Sequence, residues 1–526
     1  MKKVLAVLLV LVMVFALAAC GSNNNATPAN NNNAEPVAEK KVLKVATKGD
    51  PKGLCNAITT VASFNTPAHQ LMMDRLFEYD SEKGYTWMLA TNVEVIDGSH
   101  YRLTLRDDVY SWNGDKFKAS DVVYSIKSAV ESTVHDRYYG NFDVENCKAE
   151  DDTHVVIALK KSDPFILTTL CNIPYGMMVE ASVVARGGLD KEDGNGGNMP
   201  NCYTGPYIPV EWSTGPYIKF VRNEKYWGGT PYFDEIYLYS QTDQSARTNN
   251  LLAGEVDIAL EPAENQAQLV EDEKGYFVYK AQTTNHHTLF TNVTQAPFDD
   301  VNVRIACALA LNYDQNIKTA LSGFATHSDS ILPLKNPQYS SPQADGYESF
   351  YTYNLEKAKE YMLKSKYAGT NPKVELLIQQ THETYATLIQ QQLAEIGITV
   401  TIRKESNAFY DTINAGTQQC WIVNNSNANP YEQLKFYDGR FTVQQLNGGP
   451  SWRGDAKVDE LFDSITAEAD FQKATPYYKE LQKILNQNVP SIPLYSPDRL
   501  AYMSEKIDGI ILTCVGDINF SKCYFK

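Results

Sequence analysis

The sequence predicts a mixed α/β protein with at least two lobes, and three observations carry that expectation. Residues 374–402 read as strand, helix, strand; other alternating stretches are separated by amphipathic helices; and roughly 480 residues follow the N-terminal segments, more than one hydrophobic core usually serves. With 43% hydrophobic and 11% aromatic residues, the chain is neither disordered nor fibrous.

The N-terminus comes first. Lys2 and Lys3, an apolar run from Val4 to Leu17, and Leu17-Ala18-Ala19-Cys20 form a secretory signal with a lipobox, predicting cleavage after residue 19. The apolar run is too short for a retained membrane helix, which needs about 20 residues. Cys20 is then a lipidation site and membrane anchor, since several acyl chains hold a protein at a bilayer far better than one. Residues 20–40 carry this cysteine and a segment rich in Asn, Ala and Pro, which cannot bury apolar surface and reads as a flexible tether.

Lys41 to Thr47 alternates and should be the first strand of the body. Tyr101 to Leu105 alternates likewise, and a turn at Trp112-Asn113-Gly114-Asp115 precedes a helix. Ser120 is its expected N-cap, with Val122, Val123, Ile126, Ala129 and Val130 on one face. His154 to Leu159 is a further strand, and residues 186–201 are a Gly- and Asn-rich surface loop in which Asp190 to Gly194 lacks EF-hand spacing. In the second half, Asn354 caps a helix, Val374 to Ile378 is a strand, Glu383 to Ile396 a helix stopped by Gly397, and Ile398 to Ile402 a strand. That βαβ unit implies a parallel pair. Pro476 marks the start of a helix running to Leu485.

Charge and motifs exclude several functions. The chain has 47 basic and 63 acidic residues, a balance of −16; loss of Lys2 and Lys3 takes the mature body to −18. No basic stripe offers a surface to nucleic acid. No segment after the leader has 18 uninterrupted apolar residues, so the body is expected to be soluble. No G-x-S-x-G, Walker loop, G-x-G-x-x-G or His-Glu-x-x-His occurs, the last because position 386 is Ala. Adjacent His286 and His287 point to opposite faces of a strand and make a poor chelate, so no metal and no cofactor is expected. Eight cysteines remain after Cys20 without Cys-x-x-Cys spacing; Cys514 and Cys523 are near enough to close a short loop, and Cys307 reads as a buried small hydrophobe.

Five stretches in order carry a resemblance. They are Leu76 to Asp80 with Leu89 to Asn92 and Tyr101 to Asp121; Thr204-Gly205-Pro206-Tyr207 with Arg222 to Gly229 and Leu252 to Asp257; Pro297 to Arg304; Tyr353 to Leu363; and Val489 to Tyr495. Together they resemble the extracytoplasmic solute-binding proteins of ABC importers in the oligopeptide, dipeptide and nickel class, solute-binding family 5. Most of these residues read as scaffold: Gly205 and Gly228 for backbone freedom, Asp299 or Asp300 as a cap, Arg304 in a structural ion pair and Trp227 in a core.

The resemblance implies a two-lobe fold like that of periplasmic binding proteins, with an extra inserted subdomain. Lobe I would combine 41–74, 202–280 and 491–526, the inserted subdomain 75–201, and lobe II 281–490. The implied cleft residues are Ser63, Phe64, Asn65 and Thr66 from lobe I, and His286, His287, Phe290, Trp421, Asn424, Asn425 and Asn427 from lobe II. Trp421 offers a ring for stacking, and the asparagines offer donors and acceptors. Peptide binders of the class place an aspartate shortly after that tryptophan to pair with the peptide amine; Asn424 stands at the matching offset and has no charge to supply that bond.

The expectation is therefore a lipid-anchored, non-enzymatic and monomeric receptor on the outer face of the cell membrane or in a periplasm. It would capture a small solute, foremost a peptide, and deliver it to ABC permease subunits. Oligosaccharide is the alternative ligand within the class, and nickel chelates suit a chain with eight histidines less well. A lipid-anchored glycan hydrolase is the rival from outside it, and would need two carboxylates about 5 to 10 Å apart in a cleft.

Overall fold

Strand alternation and helical periodicity resolve into three main sheets in a computed structural model. It describes residues 39–526 apart from 50–65, 81–83, 132–138, 164–165, 173–175, 189–200, 214–216, 407, 427–428, 442–451, 453–454, 469 and 513–517. The leader, Cys20, most of the predicted Gly- and Asn-rich loop (189–200) and Cys514 lie outside these residues.

In chain order, β1 (Val42–Thr47) sends Leu43 and Val45 into the core and keeps Lys44 outside, and α1 (Thr66–Met72) follows. β2 (Ala90–Asp97), β3 (His100–Leu105), α2 (Ala119–Glu131), β4 (Lys148–Ala149) and β5 (His154–Ala158) come next. The antiparallel strands stack in the order β2-β3-β5-β4. α2 buries Val122, Ile126 and Ala129, as the period requires. Its cap differs from expectation: the helix already begins at Ala119, so Ser120 lies inside it, and the Asp121 carboxylate reaches back to accept the Lys118 N–H at 2.7 Å.

β6 (Tyr207–Ser213), β7 (Tyr217–Arg222), β8 (Glu235–Ser240), α3 (Gln244–Leu252), β9 (Ile258–Leu260), α4 (Ala267–Asp272) and β10 (Tyr276–Ala281) build most of a seven-stranded sheet. Its order is β10-β17-β9-β1-β8-β7-β6, with β17 (Arg499–Ser504) returning from the C-terminus. The four-stranded sheet shares its core: Tyr101, Phe117, Phe142 and Tyr203 join Leu43, Phe220 and Ile236 in one cluster.

The next group is β11 (Asn285–Thr291), α5 (Val301–Ala310), α6 (Tyr313–Ala320), β12 (Ala325–Thr326), α7 (Leu355–Lys364), β13 (Lys373–Ile378), α8 (Glu383–Ala394), β14 (Thr399–Lys404), β15 (Cys420–Ser426), α9 (Phe471–Asn488) and β16 (Ser491–Pro497). Its six-stranded sheet runs β12-β16-β11-β15-β13-β14 over a separate core that includes Leu289, Leu376, Ile389, Phe462 and Leu485. The βαβ unit is present: β13 and β14 pair in parallel with Val374 opposite Val400, and α8 buries Tyr385, Ile389 and Leu393. Gly397 sits at φ +83°, the left-handed conformation that ends such helices. Asn354 caps α7 by accepting the Lys357 N–H at 3.0 Å.

Two boundaries move. β16 pairs with β11 and β12, so residues 491–497 belong to the six-stranded sheet, and the chain returns to the seven-stranded sheet only at Arg499. α9 begins at Phe471, with Asp470 as cap and Pro476 inside it. Packing of Ala474, Tyr478 and Leu481 outweighs the one backbone hydrogen bond that proline forfeits.

The motif residues are scaffold of stated kinds. A Cβ on Gly205 would stand 2.4 Å from the Met72 carbonyl carbon, so this glycine permits close backbone approach. Arg304 pairs with carbonyls and not with an acid as expected: Nη1 donates to Phe298 O at 2.7 Å and Nη2 to Asn488 O at 2.8 Å, which closes the C-terminus of α9. Asp300 caps α5, accepting the Asn302 N–H. Cys307 is buried, with its thiol pushed up to about 12 by burial.

Candidate functional site

The chain passes between the two large sheets twice, and the passages run side by side. β10 ends at Ala281 opposite Arg499 of β17, and β11 continues from Asn285 antiparallel to β16, with His287 opposite Tyr495. Thr283 ties the strands, its hydroxyl donating to Pro497 O at 3.1 Å and accepting the Asn285 N–H at 3.1 Å. Gln433 Nε2 donates to Thr284 O at 2.9 Å. A pair of short extended links is the form a hinge between lobes takes, because few dihedrals must change for the bodies to rotate.

The expected lobe II residues gather at this end of the six-stranded sheet. Antiparallel register places His286 opposite Asn425 and His287 opposite Asn424, and Phe290 opposite Trp421 deeper in the sheet. Opposed side chains share a face. Asn424 is exposed and Asn425 half-buried. Trp421 departs from expectation: it is 3% exposed and stacks on Phe290, centroids 5.9 Å apart, so its ring is a core ring. Phe290 is buried equally and also meets Phe436 and Tyr437. Thr66 opens α1; Ser63, Phe64, Asn65 and Asn427 lie outside the described residues.

His287 is held from two sides. Its ring stacks on Tyr495 at 4.5 Å, and its Nδ1 lies 2.9 Å from His382 Nε2. His382 Nδ1 is buried with no hydrogen-bond partner among the described residues. An orphaned N–H is rarer than an unused acceptor, so we assign the His382 proton to Nε2, donating to His287 Nδ1, which leaves His287 Nε2–H as a donor. Burial lowers His382 to about 4 and His286 to about 3, with His327 adding to the latter; burial and then His382 hold His287 well below the ordinary range. These imidazoles are neutral near pH 7.

Four buried polar atoms here have no hydrogen-bond partner among the described residues: Thr284 Oγ1, Asn285 Oδ1, His286 Nδ1 and His382 Nδ1. Such atoms are costly unless something bonds them, at about 1–3 kcal/mol each. Both donors and acceptors are among them, which suits a neutral ligand with alternating polar groups. Among the described residues no three His, Cys, Asp or Glu side chains are placed to hold a metal ion, and no helix is long and apolar enough to cross a membrane.

Sequence reasoning missed His382, Tyr495, Thr284 and Asn285. A signal for His382 existed: it stands between β13 and α8, at the carboxyl end of a parallel strand, where α/β sites assemble.

Comparison with known proteins bears on the family and the fold. Residues 85–445 match the model described as bacterial extracellular solute-binding proteins, family 5 Middle. Di/tripeptide-binding protein 2 of Pseudomonas aeruginosa (strain UCBPP-PA14) is 25% identical over 531 residues, covering 92% of this chain and 95% of that protein. HbpA2 from Haemophilus parasuis superposes with a TM-score of 0.80 at 21% identity, covering 92% of this chain and 100% of that one. The periplasmic binding protein DppA from Helicobacter pylori, in complex with the peptide STSA, superposes with a TM-score of 0.70 at 22% identity, covering 92% and 98%.

Proposed function

The chain belongs to the bacterial extracellular solute-binding proteins of family 5, a family of binders and not of enzymes, and from that premise we propose that it captures a peptide between its lobes for an ABC importer. Lobe I comprises 41–74, 202–280 and 498–526, lobe II comprises 281–497, and 75–201 form a subdomain on lobe I. Cys20 carries the lipid anchor, and the rest of the segment to residue 40 is the tether that lets a monomeric body reach its permease.

The unpartnered buried polar atoms of Thr284, Asn285, His286 and His382, at the hinge end of the six-stranded sheet, carry this reading. A peptide main chain presents N–H and C=O groups in alternation and can bond such atoms without regard to its side chains. The di/tripeptide-binding relative supports the ligand class. With Asn424 in place of an acid and the nearby histidines neutral, this wall binds the ligand without anchoring a free amine.

A ligand that touches both lobes favours the closed state and stabilises the fold. Differential scanning fluorimetry with di- to pentapeptides is the test, since a ligand at 100 times its Kd contributes about 2.7 kcal/mol. A raised melting temperature with peptides supports the assignment. A rise only with oligosaccharides, or with neither, overturns it.

A further inference from the structure

The second lobe holds a recess of about 330 Å³ that shares no residue with the candidate cleft. The chain builds it from three places. Asn312 caps α6 by accepting the Gln315 N–H, which sets Tyr313 and Asp314 in the first turn. The segment after β12 supplies His327 and Asp329, and residues 351–353 complete the wall just before α7.

Its lining is acidic and aromatic. Tyr313, Tyr339, Tyr351 and Tyr353 line it together with Asp314 and Asp329, and no Lys or Arg does. Tyr313 stacks on His327 with centroids 3.7 Å apart. His327 Nε2 lies 2.7 Å from Tyr351 O and Nδ1 3.2 Å from Leu494 O; burial lowers its affinity for a proton, and the two carbonyls oppose that shift. Tyr339 Oη donates to Asp329 Oδ1 at 2.6 Å, which fixes that carboxylate. Asp314 is exposed at the rim, in the first turn of α6. Tyr351 is fully buried and its hydroxyl has no hydrogen-bond partner among the described residues. Leu334 and Tyr353 are partly exposed and form the mouth.

Two carboxylates and the rings of Tyr339 and Tyr353 around such a volume suit one ligand class, with Tyr313 and Tyr351 buried behind them. Carboxylates exclude an anion, and ring faces attract a cation through their quadrupole. The volume falls within the range of small-molecule pockets, and a bare divalent ion would want more oxygen ligands than the carboxylates supply. We propose that the recess is a second binding site, taking a small organic ammonium cation between Asp314 and Asp329 with the rings of Tyr339 and Tyr353 beside it. Neither the peptide reading nor the cleft is needed for this assignment.

The test is isothermal titration of the full chain with choline and putrescine, each against its uncharged counterpart, 3,3-dimethyl-1-butanol and 1,4-butanediol. At least one ammonium should bind, with its alcohol at least tenfold weaker. Asp314→Asn should weaken that ammonium at least tenfold, and Tyr353→Ala, at the mouth, should weaken it severalfold. Affinity for a peptide found in the fluorimetry screen should be the same in both variants, which also shows that they are folded. No binding by either ammonium overturns the proposal, as does equal binding by an alcohol. So does an ammonium affinity that both variants leave unchanged, because the cation is then held elsewhere. A peptide that never binds leaves the ammonium titration readable, so the two assignments fail separately; circular dichroism then reports the folding of the variants.

Discussion

The indole Nε1–H of Trp227 donates to the carboxylate of Asp74 at 2.6 Å, joining residues 153 positions apart. Tyr226 Oη and Thr204 Oγ1 donate to the same group, each at 2.8 Å, and Arg106 lies over the Trp227 ring at 4.4 Å. Asp74 is 1% exposed; burial raises the proton affinity of its carboxyl group, and the three donors oppose that shift. Three sequence-distant segments thereby meet at one carboxylate.

Trp227→Phe keeps most of the ring and removes one donor from a buried carboxylate. The expected cost is about 1–3 kcal/mol, read as a lower midpoint in urea denaturation. An unchanged midpoint would mean that the remaining hydroxyls suffice.

Arg304→Lys replaces a fork by a point donor. Phe298 O and Asn488 O cannot both be reached by one ammonium in the geometry Arg304 uses, so the C-terminus of α9 loses its closure. Stability should fall by about 2 kcal/mol, and hydrogen exchange at residues 484–488 should quicken. Exchange that quickens evenly along the chain would contradict a local role.

Acid should weaken the fold through the buried imidazoles. His382 has an ordinary value of 6.5 and a folded value of about 4, and His286 one of about 3. Between the folded and unfolded values the unfolded chain binds more protons, so stability rises with pH across that window and is lost as pH falls below about 6.5. His382→Gln should flatten the melting-temperature profile between pH 4.5 and 6.5. Parallel profiles for the two proteins would remove His382 as a cause.

Asn424→Asp places a carboxylate opposite His287 on the exposed end of the sheet. The natural protein should bind a peptide and its N-acetylated form with similar affinity. The variant should prefer the free amine by about tenfold, the value of one charge-assisted bond. Strong loss of binding on acetylation in the natural protein would show that an acid elsewhere anchors the amine.

Much of the architecture was legible because it rests on local periodicity. The βαβ unit at 373–404, the cap at Asn354, the stop at Gly397 and the first strand all follow from side-chain spacing and backbone preference, which act within a few residues. The resemblance rested on motifs whose order the fold preserves. What went astray depended on distant partners: Arg304 read as an ion pair, yet its acceptors are carbonyls near residue 488, and Pro476 read as a helix start, yet packing of Tyr478 and Leu481 carries α9 back to Phe471.

The site divides in the same way. Sequence alone determined that His286 and His287 share a strand and that Asn424 is neutral. It could not say that Trp421 is a core ring, that His382 from another segment fixes His287, or that β16 belongs to the second sheet. Those facts depend on which strands pair and in what register, and register is set by burial of whole sheet faces. Spacing along the chain decides which face a side chain takes; only the assembled sheets decide what stands opposite it.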